Sequence, residues 1–373
     1  MATNKKANGE RIYNLAAGDP VLSNHHSILQ KAIQKTANGY CPYPPVEGMA
    51  ELRRLTAEWM NITCKTQYSQ DNVLVTCGGK FALFAIMYSL LTEGDEVLIP
   101  APYWVSYPDI VKMAGGKPKI VLTSVEKRWK LTAQDLLKQV TKNTKMLIFN
   151  NACNPTGILY SRQEIKEILD VAKTHNLIVV SDEVYSGLVY EEPGFISCGS
   201  FHEHRERVLI IQSCSKNFGM TGWRVGFAVG PENIIKRLTA LQSQSTTGVS
   251  VISQWAAIGA LENADEVSSY VRESMKKRRD LFIKTFNTLF PGPIEEIKSA
   301  LYAFVPLNSL GIHNISDSIA FCEQMMTSDN IALVPGCAFG VDGYVRFAFS
   351  ETEDEIYQAL QVLNQAIDNL IGV

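Results

Sequence analysis

The sequence predicts an α/β fold in which a mainly parallel, seven-stranded sheet is flanked by helices. Short runs rich in β-branched residues alternate with amphipathic helical patterns through the middle of the chain. The run Leu177-Ile178-Val179-Val180 is continuously apolar, which is typical of a strand buried on both faces of a parallel sheet. The predicted strands span 72–76, 96–100, 119–123, 145–150, 177–181, 207–212 and 225–229.

Helical patterns lie between most of these strands and then dominate the last third of the chain. The shorter patterns span 81–91, 162–175 and 231–243. Residues 262–290 form a long, charged helical pattern, and fewer strand candidates follow it. We therefore predict a large domain over 25–270 and a smaller α/β domain built from both ends of the chain, 1–24 and 271–373.

Composition excludes several classes of function. The 35 basic and 38 acidic residues leave a net charge of −3, and they are scattered, so no nucleic-acid partner is expected. No apolar run has the length of a membrane span, and no apolar segment follows the lysines near Met1 as in a signal peptide. The eight cysteines include no C-x-x-C pair, which favours free thiols in a reducing compartment. A cytoplasmic protein is expected.

Polar, aromatic and glycine-rich residues follow the ends of the predicted strands. Open parallel sheets bind their ligands at the carboxyl ends of the strands, so these segments predict one active site. The segments are Cys77-Gly78-Gly79-Lys80, Ala101-Pro102-Tyr103-Trp104, Asn151-Ala152-Cys153-Asn154-Pro155-Thr156-Gly157, Asp182-Glu183-Val184-Tyr185 and Ser213-Cys214-Ser215-Lys216.

The Gly78-Gly79 pair lies between a predicted strand and a predicted helix. Glycines there let the backbone approach an anion, which the free N–H groups of the helix attract. Leu74 occupies the position where a P-loop requires a glycine, so a P-loop is not indicated. On its own, the pair is better explained as a simple strand-to-helix turn.

Lys216 follows a fully apolar strand and is a candidate nucleophile. Desolvation at a sheet edge lowers the pKa of a lysine and so favours the neutral amine. Ser213, Ser215 and Arg224 lie near it in the sequence and are suited to binding a phosphate. Asp182 closes a neighbouring strand and is either part of this site or a metal ligand. Because a P-loop is missing, a nucleotide hydrolase is disfavoured, and no metal is expected.

These motifs together resemble the aspartate aminotransferase family, the class I/II, fold-type I aminotransferases that depend on pyridoxal 5′-phosphate. The resemblance runs from Leu15-Ala16-Ala17-Gly18-Asp19-Pro20 to Tyr344-Val345-Arg346. Five separated motifs occur in the order of the family. They are Tyr43-x4-Gly48, Gly78-Gly79-Lys80, Asn154-Pro155-Thr156-Gly157, Ser181-Asp182-Glu183-Val184-Tyr185 and Ser213-x-Ser215-Lys216 with Arg224.

The resemblance implies a role for each candidate residue. Lys216 would form the Schiff base with the cofactor and then shuttle a proton as the catalytic base. Asp182 would face the pyridine nitrogen, while Tyr185 and Asn154 would bind the 3′-oxygen. The phosphate would be held by Gly79, Lys80, Ser213, Ser215 and Arg224. Trp104 would stack on the ring, with Tyr103 as the alternative, and Arg346 would bind the substrate α-carboxylate with help from Asn154 and Gly18.

Two further residues bear on assembly and substrate choice. Tyr43 matches a tyrosine that reaches the phosphate of the neighbouring subunit, which implies a homodimer with shared active sites. In one branch of the family, a lysine at the place of Lys80 meets the distal carboxylate of aspartate or glutamate. Another branch uses an arginine of the partner subunit for this purpose, but the corresponding stretch here, 242–254, contains no arginine or lysine. An acidic amino acid and 2-oxoglutarate are therefore the expected substrates.

Three segments depart from the family pattern where substrate side chains are sensed. Residues 300–303 read Ala-Leu-Tyr-Ala in place of Gly-Ala-Phe-Tyr, 21–26 lack the common Asp-Phe-x-Thr-Pro, and 244–249 lack an Asn-Pro. The alternatives are transamination of an aromatic or prephenate-like substrate and β-elimination. A cofactor-binding regulator without turnover is a third possibility, but such regulators carry an additional DNA-binding domain, for which the residues before Leu15 leave no room.

Overall fold

Twelve strands and thirteen α-helices form the part of the chain that the computed structural model describes, residues 1–371 except 193, 295, 314 and 316. The strands are β1 (Tyr13–Asn14), β2 (Val73–Thr76), β3 (Glu96–Ala101), β4 (Lys117–Leu122), β5 (Thr144–Asn150), β6 (Ile178–Asp182), β7 (Val208–Ser213), β8 (Gly226–Val229), β9 (Tyr302–Pro306), β10 (Ile331–Ala332), β11 (Val334–Pro335) and β12 (Tyr344–Ala348). The helices are α1 (Ala2–Ala7), α2 (His26–Thr36), α3 (Ala50–Thr63), α4 (Gly79–Leu90), α5 (Ser106–Met113), α6 (Ala133–Gln139), α7 (Arg162–Thr174), α8 (Cys214–Asn217), α9 (Glu232–Ser245), α10 (Val251–Glu262), α11 (Ala264–Leu289), α12 (Ser318–Ser328) and α13 (Glu353–Ile371).

The central sheet contains seven strands in the order β2-β8-β7-β6-β5-β3-β4. Strands β3 to β7 pair in parallel, and β8 is antiparallel to both β2 and β7. The predicted α/β fold with a mainly parallel sheet is therefore confirmed. Each predicted strand is present, with ends within two residues of the expected bounds.

Both faces of the sheet are buried. Successive side chains of each strand point to opposite faces, and the two faces pack in separate cores. Leu147 and Val179 pack in the core that also contains Leu169 of α7. Ile148 and Val180 face the opposite way, into the core that α4, α5 and α9 cover. Burying each such aliphatic side chain contributes roughly 1.5–3 kcal/mol, which explains the continuous apolar runs.

The register of the parallel strands aligns their carboxyl ends. Asn150 at the end of β5 lies opposite Asp182 at the end of β6, and Asp182 lies opposite Ile211 of β7. The polar residues that follow these strands are thereby brought to a single edge of the sheet.

The two ends of the chain pack together around a second core. Strand β1 pairs with β10, and the antiparallel sheet β11-β12-β9 is covered by α11 and α13. We propose 270/271 as the domain boundary, although α11 continues through it. Val267 still packs in a core of the central sheet, whereas Val271, one helical turn later, packs in the second core. None of the helices in the described ranges is long and apolar enough to cross a bilayer.

Candidate active site

A cavity of about 420 Å³ opens at the carboxyl ends of the central strands. It lies between the central sheet and the second core, because β9, β12 and the segment after β1 supply one of its walls. Its lining contains most of the residues that the sequence predicted for the site. The lining residues are Gly18, Asp19, Gly79, Lys80, Trp104, Tyr107, Asn150, Asn154, Asp182, Val184, Tyr185, Ser213, Ser215, Lys216, Thr221, Arg224, Tyr302 and Arg346.

Lys216 projects into this cavity from the short helix α8. Its Nζ donates a hydrogen bond to the carbonyl oxygen of Gly18. Burial lowers the pKa of the Lys216 ammonium to about 8, with a smaller opposing effect from the carboxylate of Asp19. A much larger fraction of this amine is therefore neutral and nucleophilic near neutral pH than of an ordinary lysine.

Asp182 is a buried carboxylate at the end of β6. Its Oδ2 accepts a 2.7 Å hydrogen bond from the hydroxyl of Tyr107, and burial raises its pKa to about 6. In the described residues, no Lys or Arg forms an ion pair with it. A carboxylate desolvated in this way strongly favours a cationic group placed beside it.

The beginning of α4 forms an anion site together with neighbouring polar side chains. The first N–H groups of a helix have no acceptor within the helix, and they attract negative charge. Gly78 has a φ of +81°, and a Cβ at this residue would lie 2.5 Å from Nη2 of Arg224. The glycine thus leaves space for the guanidinium. Ser213 and Ser215 line the same part of the cavity.

Arg346 forms the opposite wall from strand β12, and it is only 8% exposed. Its Nη1 donates to Oδ1 of Asn154 at 3.0 Å, and its Nη2 donates to the carbonyl oxygen of Ala16. The Nε atom is buried and has no hydrogen-bond partner in the described residues. Because an unsatisfied buried donor is costly, this atom indicates a place for an anionic ligand.

Trp104 and Tyr103 were the two candidates for stacking on a bound ring, and they lie in different places. Trp104 lines the cavity, and Nζ of Lys80 lies 4.8 Å from the centre of its ring. Tyr103 packs against Gly340 and is absent from the lining. Tyr43 is also outside the cavity of this chain, where 90% of it is exposed.

Comparison with known proteins agrees with this geometry. Residues 10–363 match the family model for aminotransferase class I and II. The chain belongs to this family. Aspartate aminotransferase from Bacillus subtilis is 32% identical over 97% of this chain and 93% of that protein. The probable aspartate/prephenate aminotransferase from Aquifex aeolicus is 30% identical over 98% of this chain and 93% of that protein. The structure of aspartate aminotransferase from Thermus thermophilus with maleate is 32% identical, covers 98% of this chain and 94% of that chain, and has a TM-score of 0.91.

Members of this family depend on pyridoxal phosphate, so this transferase is an aminotransferase with the same cofactor. The residues in the cavity fit that group. The reactive amine of Lys216 is suited to the aldehyde of the cofactor, and the buried carboxylate of Asp182 is suited to its protonated ring nitrogen. The beginning of α4, where Gly78 leaves space beside Arg224, is suited to its phosphate.

Six residues that line the cavity of the aminotransferase had no role in the sequence prediction, namely Asp19, Tyr107, Asn150, Val184, Thr221 and Tyr302. Asp19 directly follows Gly18, and Tyr107 lies one helical turn after Trp104, so proximity to a known motif could have indicated both. Thr221 lies three residues before Arg224, to which its carbonyl oxygen is hydrogen-bonded. Tyr302 lies in segment 300–303, which departs from the family pattern near the expected substrate, but no residue of this segment was assigned a role.

Proposed function

We propose that this aminotransferase transfers the amino group of aspartate or glutamate to a 2-oxo acid such as 2-oxoglutarate. One observation carries the proposal: the cationic side chains of Arg346 and Lys80 line the same cavity as Lys216. Arg346 is suited to the α-carboxylate, since its unpartnered Nε leaves part of its donor fork free. Lys80 is then the cation for the distal carboxylate. Maleate, a dicarboxylate, accompanies the related enzyme from Thermus thermophilus.

Bound pyridoxal phosphate supplies a carbonyl carbon that accepts the amino group and a ring that withdraws electrons. Lys216 would hold the cofactor through Nζ and would take the proton from Cα of the substrate. Asp182 would keep the ring nitrogen protonated, and Tyr107 orients that carboxylate. Trp104 would pack on the ring, while Asn154 and Tyr185 would bind its 3′-oxygen.

The phosphate is assigned to one group of donors. We propose that the backbone N–H groups of Gly79 and Lys80, the hydroxyls of Ser213 and Ser215 and the guanidinium of Arg224 bind it. Ser213 Oγ already accepts from the N–H of Ser215 at 3.1 Å, an arrangement that orients both serines at the beginning of α8. Several charge-assisted hydrogen bonds of this kind fix the position of the cofactor.

Product analysis tests the reaction type. The purified protein with pyridoxal phosphate is incubated with a panel of amino acids and 2-oxoglutarate. Formation of an oxo acid with stoichiometric glutamate supports the proposal, whereas release of ammonia indicates β-elimination. A preference for neutral amino acids would contradict the acidic substrate. Prephenate belongs in the panel as an acceptor, because the relative from Aquifex aeolicus is named for aspartate and prephenate.

Replacing Lys80 with alanine is expected to change substrate preference. The kcat/KM for aspartate and glutamate should fall about tenfold or more, about 1.4 kcal/mol, because the distal carboxylate loses its cation. Alanine and phenylalanine lack that carboxylate and should be affected much less. Equal losses for all four substrates would show that Lys80 serves the cofactor instead. Lys236→Ala, which removes an exposed lysine outside the cavity, is the control.

We also propose a homodimer in which Tyr43 reaches the phosphate in the partner's active site. The 90% exposure of this aromatic side chain in one protomer supports the proposal, as does its location among Pro42, Pro44 and Pro45.

A cytoplasmic location is proposed as well, since all eight cysteines are free.

Mixed dimers provide the test of shared sites. Tyr43→Ala and Lys216→Ala are each expected to be severely impaired. Mixing them with subunit exchange should restore roughly a quarter of wild-type activity, because about half of the dimers become hybrids and each hybrid contains one intact site of two. Mixing Lys216→Ala with Asp182→Ala is the control and should restore nothing, since both residues line the cavity of one chain. An active monomer, or a fully active Tyr43→Ala, would contradict the proposal.

A further inference from the structure

Tyr302 joins the second core to the cofactor side of the active site. It lies at the beginning of β9, is 3% exposed and lines the cavity. Its hydroxyl oxygen is 2.8 Å from that of Tyr185, and the two rings meet edge to face at a centroid distance of 5.7 Å. A Cβ at Gly18 would collide with this hydroxyl, so the local backbone leaves space for it.

The ring of Tyr302 has a second contact on the substrate side. The guanidinium carbon of Arg346 lies 4.3 Å from the ring centre, a distance typical of a cation–π interaction. One side chain therefore contacts both Tyr185 and Arg346. The contact with Arg346 needs only the aromatic ring, whereas the contact with Tyr185 needs the hydroxyl. The two contacts can consequently be separated by substitution.

We propose that Tyr302 is a positioning residue whose hydroxyl donates to Tyr185, so that Tyr185 can donate its own proton to the 3′-oxygen of the cofactor. This inference rests on the proposed role of Tyr185. A phenol has one proton to donate. If Tyr185 donates it to the cofactor, the hydrogen bond between the two tyrosines must be donated by Tyr302.

A donor behind Tyr185 also makes Tyr185 a stronger donor, because successive hydrogen bonds polarise one another. A stronger donor stabilises negative charge on the 3′-oxygen. That charge is larger when the nitrogen linking Lys216 to the cofactor is unprotonated. Tyr302 therefore lowers the pH at which this nitrogen loses its proton.

Tyr302→Phe keeps the ring and removes only the hydroxyl. The visible absorbance of the cofactor-bound variant should titrate roughly half to one pH unit higher than that of the wild type, the equivalent of one ordinary hydrogen bond. Its kcat should fall several-fold, while KM for the amino acid should stay nearly unchanged. Tyr302→Leu removes the ring as well and should also raise KM, because Arg346 loses the closer of its two aromatic contacts and keeps only that with Phe339.

Further variants separate this role from general structural damage. In a Tyr185→Phe background, Tyr302→Phe should produce no additional titration shift. Replacement of Tyr302 by 3-fluorotyrosine, a stronger donor, should shift the titration downward, which keeps the test decisive if the phenylalanine variant folds poorly. Tyr190→Phe is the control, because the hydroxyl of Tyr190 donates to the carbonyl of Ala300 outside the cavity.

An unchanged titration in both Tyr302→Phe and the fluorotyrosine protein would overturn the inference. An additional shift in the Tyr185→Phe background would overturn it too, since Tyr302 would then act independently of Tyr185. The proposed function is tested separately, with the wild-type protein. Cofactor absorbance that depends on Lys216, together with amino transfer, supports that function regardless of the results for Tyr302.

Discussion

Replacing Lys216 with alanine is expected to reduce turnover about 10³-fold or more and to abolish the covalent link with the cofactor. The substitution removes both the amine that binds pyridoxal phosphate and the base that takes the proton from Cα, and the second role alone accounts for factors of about 10²–10⁴. Steady-state kinetics measure the first effect. Borohydride reduction followed by peptide mass spectrometry measures the second, because it traps the cofactor on Lys216 in the wild type.

The pH dependence of this trapping gives an additional check. Only the neutral amine reacts, and the pKa of Lys216 is lowered from 10.5 to about 8. The rate at which the cofactor-free wild type forms the trapped product should thus rise as the pH is raised through about 8. Lys236→Ala should behave like the wild type. Normal turnover in Lys216→Ala, with an unchanged trapped product, would exclude the assignment.

The replacement of Arg346 by lysine should be the second most damaging change. Lysine keeps the charge but cannot present the planar donor fork that binds a carboxylate through two hydrogen bonds. It also leaves Oδ1 of Asn154 and the carbonyl of Ala16 without their present donors. A loss of roughly 2–5 kcal/mol, or roughly 30- to 5,000-fold in kcat/KM, is expected for every amino acid, since all share the α-carboxylate.

Substrate comparison and a matched variant decide whether this loss is specific. The kcat/KM ratio between aspartate and alanine should remain close to that of the wild type, in contrast to the effect of Lys80→Ala. Arg279→Lys is the matched control, because Arg279 is also buried but pairs with Glu191 away from the cavity. If Arg346→Lys retained full kcat/KM, the substrate carboxylate would have to bind elsewhere.

Many of the residues that line the cavity at the edge of the central sheet were predictable from the sequence. Asp182, Ser213 and Lys216 lie at or just after the ends of apolar runs, and chain order alone indicates that such ends meet at one edge of a parallel sheet. The Gly78-Gly79 pair, which on its own fits a simple strand-to-helix turn, became informative only together with the other motifs. These signals are local, and short stretches of sequence contain all of them.

The residues that face the cofactor side from the second core were harder to predict. Tyr302 is 117 residues from Tyr185, and although segment 300–303 was expected near the substrate, nothing in its sequence indicates a contact with Tyr185. The choice between Trp104 and Tyr103 was open for a similar reason. Adjacent aromatic residues point in different directions, and the sequence does not show that Tyr103 turns toward Gly340, which directly follows the 3-10 helix Gly336–Phe339.

The sequence by itself determined the α/β class, the order of the strands along the chain and the identity of the residues that follow them, because apolar periodicity and turn residues act over short distances. Only the tertiary structure decided that Arg346 donates to Asn154, that Tyr107 donates to Asp182 and that Tyr302 meets Tyr185. Each of these contacts joins segments far apart in the chain. The contacts of Arg346 and Tyr302 depend on how the second core packs on the edge of the sheet, and the contact of Tyr107 depends on how α5 packs on the sheet. No local pattern specifies either packing.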